Sequence, residues 1–155
     1  FPYTTLFRSR TTPHAVLVGS QSFWEGVDVA GEALSLVIID KLPFAPPDDP
    51  VLAARMARLA AQGESPFALL QLPRATIQLK QGAGRLIRSE RDRGVLCICD
   101  PRMATRGYGK ILWSSLPPMA RLREVARAET FLAALAREAG GGSAPPLDAA
   151  GGETQ

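Results

Sequence analysis

Leu72-Pro73-Arg74-Ala75-Thr76-Ile77-Gln78-Leu79-Lys80-Gln81-Gly82-Ala83-Gly84-Arg85-Leu86-Ile87-Arg88 is the stretch whose reading decides the fold. Wound at about 100° per residue, it separates into two arcs. Ala75, Leu79, Ala83, Leu86 and Ile87 fall in one. Arg74, Gln78, Gln81, Arg85 and Arg88 fall in a narrow arc opposite, with no carboxylate before Glu90. The expected helix runs to about Ser89 and buries Leu79, Ala83 and Leu86 against a sheet. Gly82 and Gly84 sit beside the polar arc, although a glycine inside a helix costs about 1 kcal/mol relative to alanine. Arginine forks, an amide and bare backbone suit a closely approaching polyanion such as a triphosphate. The plainer reading is a solvated amphipathic helix. Such a face normally mixes acidic side chains among its cations, and this one does not.

The segments around this helix read as strands and loops. Ala15-Val16-Leu17-Val18-Gly19 is a continuous apolar run, as in a parallel strand covered on both faces. Ser20 to Asp28 follows its carboxyl end, where open α/β sheets bind ligands. Phe23 and Trp24 read as packing anchors. Asp28 is able to meet a ribose hydroxyl or simply to cap a turn. Leu34 to Asp40 is a second, β-branched strand, ended by Lys41-Leu42-Pro43-Phe44. Asp49 and Pro50 are the cap and first residue of a helix that stops at Gln62-Gly63. Ser65 to Gln71 reads as a connector. Val95 to Asp100 is a third strand, and Pro101-Arg102 opens a helical segment toward Tyr108. Ile111-Leu112-Trp113 fits a strand or a helix end. Met119 to Ala139 is an alanine-rich helix with Leu122, Val125, Leu132 and Leu135 on one side. Alternation of strand and helix predicts an α/β layer around a parallel sheet.

Two blocks carry a family resemblance. Gln81-x-x-Gly84-Arg85-x-x-Arg88 resembles motif VI of the superfamily-two helicases. Gly19-Ser20-Gln21-Ser22-Phe23-Trp24-Glu25-Gly26-Val27-Asp28-Val29 resembles motif V of the DinG/XPD branch, the iron–sulfur DNA helicases. Val37-Ile38-Ile39-Asp40-Lys41-Leu42-Pro43-Phe44 is similar to the bacterial DinG and YoaA type. The resemblance runs from about Val16 to about Pro118. It implies a RecA-like (P-loop NTPase-type) second motor domain, a three-layer parallel sheet incomplete on its N-terminal side.

The resemblance also implies roles. Arg88 is expected as the arginine finger, with Arg85 on the phosphates or orienting Glu25 or Asp28. Gln81 is expected at the γ-phosphate or the attacking water. Glu25, Gly26, Asp28 and Gly84 are the expected nucleotide-side residues, and Ser20, Gln21 and Ser22 the expected contacts to a DNA phosphate. The chain contains no Gly-x-x-x-x-Gly-Lys-[Ser/Thr] and no Asp-Glu-x-His block. ATP and Mg2+ are the implied cofactors, with the magnesium ligands on an N-terminal motor domain. An iron–sulfur cluster is implied upstream and not in this chain. Single-stranded DNA and the first motor domain are the implied partners, and the implied role is DNA repair or replication. The alternatives are the C-terminal part of a DinG-like exonuclease and a non-catalytic module that binds nucleic acid.

Composition fits this reading. The 155 residues carry a net charge of +3 and a pI near 9.2, mildly favouring an anionic partner. Positive charge is dense from Arg74 to Arg127. No run of about 18 apolar residues suggests a membrane span, and no signal peptide is visible. Cys97 and Cys99, two apart on a strand, point the same way and are expected as buried thiols in a reducing cytoplasm. A pair of thiols does not complete a structural metal site. Phe1 to Ser9 resembles the in-frame translation of a sequencing-library adapter. Residues 1–14 are accordingly expected to be a non-native or disordered leader, 15–139 the helicase domain and 140–155 a disordered tail.

Overall fold

The computed structural model describes residues 12, 15–20, 34–46, 48–87 and 92–139. Strand β1, Leu36–Ile39, pairs in parallel with β2, Val95–Ile98, in the register Leu36↔Val95 through Ile39↔Ile98. The ladder is continued by Val95 N–H to Ser35 O and Cys99 N–H to Ile39 O, both at 2.9 Å. Two β-branched runs end up adjacent because the chain between them makes a helical crossover, which parallel pairing requires.

Among the described residues that crossover has three parts. Helix α1 spans Pro50–Ala61. Asp49 caps it, its Oδ1 accepting from Val51 N–H at 2.9 Å and Leu52 N–H at 3.1 Å. Gly63 ends it at φ 75°, a left-handed conformation that costs glycine little. Gly63 N–H then reaches Ala60 O, and Glu64 N–H reaches Leu59 O, closing the exposed carbonyls of the last turn. The expected connector is instead a π-helical turn, Phe67–Gln71. It runs without a break into α2, Leu72–Ala83. After β2 come α3, Arg102–Thr105, α4, Gly109–Ser114, and α5, Val125–Ala139. Ile111, Leu112 and Trp113 are thus helical. Gly109 permits the α3–α4 contact, since a Cβ there would lie 2.0 Å from the carbonyl oxygen of Met103.

The core lies on one face of the sheet. Ile39, Leu42, Leu72, Leu79, Ala83, Leu112 and Leu116 form it, with Val37, Leu96 and Ile98 packed against it. The other face is far less covered: Ile38 is 61 % exposed whereas Ile39 is 2 % exposed. Of the three expected layers, the described residues form the sheet and the layer on the Ile39 side.

Four expectations are corrected. Val16, Leu17 and Val18 are exposed and form no strand; among the described residues the sheet has two strands. Without a paired neighbour an apolar run has no ladder to join. Helix α2 stops at Ala83 rather than near Ser89. There the bonding tightens, Arg85 N–H reaching Gly82 O and Leu86 N–H reaching Ala83 O, as two glycines lower the helical preference. The last helix starts at Val125, not Met119, with Val125 71 % exposed. Cys99 is exposed and Cys97 half-buried, because their face of the sheet is the poorly covered one.

Candidate functional site

Helix α2 and the turn after it hold the described part of the polar arc singled out from the sequence. Its buried arc is Leu72, Ala75, Gln78, Leu79, Gly82 and Ala83, and Leu86 is buried just beyond. Leu79, Ala83 and Leu86 therefore anchor the helix as expected. Arg74 and Gln81 are exposed, and Arg85 and Gly84 half-buried. Gln78 is the exception. It was expected on the outer arc but is only 8 % exposed, and its Oε1 is buried with no hydrogen-bond partner. At about 100° per residue Gln78 lies closest of the polar set to the apolar arc, and packing carries it inward.

The helix ends where the chemistry is expected. Gly84 takes φ −66° and ψ −10°, ordinary values for any residue. A Cβ there would approach the Lys80 carbonyl oxygen to 3.1 Å, so glycine avoids a tight contact with the last carbonyls of the helix. Ser20 is described and exposed. Arg88, Gln21, Ser22, Glu25, Gly26 and Asp28 lie outside the described residues. Among the described residues no three His, Cys, Asp or Glu side chains converge. No helix among them is long and apolar enough to cross a membrane. An open cleft of about 390 Å³ is lined by Arg55, Arg58, Leu59, Gln62 and Leu70 and shares no residue with the expected site.

A second constellation escaped the sequence reading. Asp100, just past the carboxyl end of β2, is 5 % exposed. Its Oδ2 accepts from Leu42 N–H at 2.9 Å and from Arg102 Nη2 at 2.6 Å. Its Oδ1 accepts from Arg102 N–H and Nε, each at 3.0 Å. These bonds from Arg102 hold the Asp100 carboxyl well below the usual carboxylate range, against the opposing effect of burial. The Arg102 guanidinium is raised in turn by Asp100 and lies 5.3 Å from the centre of the Phe44 ring. Phe44, Phe67 and Tyr108 close a ring cluster at centroid separations of 5.0–5.6 Å. The available signal was an Asp-Pro-Arg at a strand end, Asp100-Pro101-Arg102. At the edge of the sheet, the Cys97 and Cys99 sulfurs lie 3.9 Å apart. Burial first, then Cys99, pushes the Cys97 thiol up.

Comparison with known proteins places this architecture. Residues 3–119 match the family described as Helicase C-terminal domain. The chain belongs to that family. It is 60 % identical over 120 residues to the ATP-dependent DNA helicase YoaA of Escherichia coli K12, covering 77 % of this chain and 19 % of the relative. It is 46 % identical over 121 residues to the ATP-dependent helicase DinG of Mycobacterium tuberculosis H37Rv, covering 78 % and 18 %. The 3'-5' exonuclease DinG of Bacillus subtilis is 43 % identical over 108 residues, 70 % of this chain and 12 % of the relative. The chain thus spans under a fifth of the length of these curated relatives. The resemblance read from motifs V and VI and the membership of the family agree.

Proposed function

We propose that this chain is the C-terminal motor-domain part of an ATP-dependent DNA helicase of the DinG/YoaA type. In the complete enzyme it supplies one wall of the ATP site, and hydrolysis drives 5′-to-3′ translocation on single-stranded DNA in cytoplasmic DNA repair or replication. The observation that carries the reading is helix α2. Its apolar arc is locked into the core, its last turn carries the exposed Gln81, and the turn that follows holds half-buried Gly84 and Arg85.

Charge accumulates on the phosphoryl oxygens as the terminal phosphate transfers. A guanidinium stabilises that charge if held in place beforehand, in a setting less screened than bulk water. Arg88 is assigned as the finger, and Arg85 as a second phosphate cation. Gln81 orients the γ-phosphate or the water. Glu25, Gly26 and Asp28 are assigned to the nucleotide side, and Ser20, Gln21 and Ser22 to a DNA phosphate. Magnesium ligands and an iron–sulfur cluster are assigned to the rest of the enzyme, as are the sheet's remaining strands and the layer over Ile38. The relative named as a 3'-5' exonuclease supports a second reading, in which the same motor part serves a nuclease.

The test is Arg88→Ala in the complete helicase. ATP turnover should fall about a thousandfold with a far smaller change in ATP affinity, and Arg88→Lys should rescue little because an ammonium lacks the planar fork. Equal losses of binding and turnover would make Arg88 a ground-state phosphate clamp and refute the finger assignment.

A further inference from the structure

We infer that Asp100 and Arg102 are positioning residues: through Phe44 and Phe67 they set the pose of the helix that carries Gln81 and leads into the turn holding Arg85. The inference rests on the proposed helicase function and adds residues outside motifs V and VI.

Three observations support it. First, Asp100 joins the exits of both strands. It is buried, and it takes the Leu42 N–H from the loop after β1 while gripping Arg102 at the start of α3. Loops at the carboxyl ends of parallel strands are where α/β sheets place their ligands. The carboxylate therefore fixes backbone in the region that matters, at some distance in sequence from either motif.

Second, Arg102 is held as a plane. Nε and Nη2 both bond to Asp100, so the guanidinium has little freedom to rotate and lies over Phe44. Phe44 in turn meets Phe67 at 5.5 Å, and Tyr108 braces both rings.

Third, Phe67 is the first residue of the π-helical turn, which continues directly into α2. The Leu72 N–H closes a bond onto the Phe67 carbonyl, so a shift of Phe67 moves the first turn of α2. Leu42, whose N–H is the other group Asp100 holds, shares the core with Leu72 and Leu79. Both routes end on one helix. A π-helical turn inside a helix is an uncommon arrangement, frequent at functional sites, and here it gives the aromatic cluster its grip.

The experiment uses the complete helicase, assayed for ATP turnover with magnesium and saturating single-stranded DNA, and for thermal unfolding. Arg102→Lys keeps the charge opposite Asp100 and removes the planar stack. Phe44→Leu keeps an apolar side chain and removes the ring. Each should lower kcat about tenfold through displacement of the catalytic cations, with KM for ATP within about twofold and the melting temperature lowered by no more than about 5 °C. The double variant should lose little more than either alone, since both changes break one path. Arg85→Ala is the control. Turnover lost in Arg85→Ala but kept at the wild-type level in Arg102→Lys and Phe44→Leu overturns the positioning role and leaves the half-site standing. Turnover kept in Arg85→Ala overturns the reading on which the role rests.

Discussion

Leu79→Ala should destabilise the domain by about 3 kcal/mol, and Ile77→Ala, two residues away on the same helix, by less than about 0.5 kcal/mol. Leu79 has no solvent exposure, whereas Ile77 is 59 % exposed. Shortening a buried isobutyl group to a methyl forfeits about 0.8 kcal/mol for each carbon removed. It also leaves a cavity that Leu42, Leu72 and Leu112 around it in the core fill only in part. At Ile77 most of the side chain already faces water, and alanine is the better helix former. Urea unfolding of the 155-residue chain, followed by circular dichroism, is the assay. With a slope near 1.5 kcal/mol per molar urea, the Leu79 variant should unfold about 2 M earlier and the Ile77 variant almost with wild type. The comparison reports the rotation of α2 about its axis. That rotation decides whether Gln81 and Arg85 look outward. Equal losses at the two positions would mean the helix is turned, and the site built on it would fall with the register.

Asp100→Asn should lower stability at neutral pH by about 2 kcal/mol through loss of charge-assisted bonds. Because the Asp100 carboxyl titrates well below its ordinary value, its contribution is present above about pH 4 and is lost only as pH falls toward its folded value; the gap between the urea midpoints of wild type and variant should therefore stay constant from about pH 7 to pH 5 and begin to narrow only below about pH 4. Gly109→Ala should cost about 2 kcal/mol or more, as a Cβ would meet the Met103 carbonyl, while Gly107→Ala, with open space around it, should fall within about 0.5 kcal/mol; thermal melts of the pair check this. The 155-residue chain alone should not hydrolyse ATP, since phosphoryl transfer needs phosphate loop, magnesium ligands and finger together. Phosphate release that survives purification and vanishes in Arg85→Ala/Arg88→Ala would show a complete site in this chain.

What was legible in the sequence was whatever local chemistry decides. Asp49-Pro50 and Gln62-Gly63 mark the ends of α1 because capping bonds and left-handed backbone depend on one or two residues. Leu79, Ala83 and Leu86 were legible as the anchored arc because a helix repeats its faces regardless of what it packs on. Cys97 and Cys99 share a side for the same reason. Their burial was not legible. It depends on what covers that side of the sheet, which no strand encodes. Gln78 shows the same division. Its angle on the wheel is intermediate, and only the width of the packed interface settles that it goes in.

The Asp100–Arg102 pair marks where local reading ends. Nothing in Asp100-Pro101-Arg102 says that the carboxylate bonds to an N–H 58 residues earlier. That contact exists because β1 and β2 are neighbours, and their pairing follows from the crossover. Once the pairing is known, the pair is almost forced. The carboxyl ends of both strands converge there, an unpaired buried N–H would cost about 1–3 kcal/mol, and a carboxylate able to accept it would itself need a cation. Arg102 is that cation, and its plane is then directed onto Phe44. A residue set that looks like a turn in sequence thus becomes, through topology alone, the junction between the sheet and the helix that carries Gln81 and leads to Arg85.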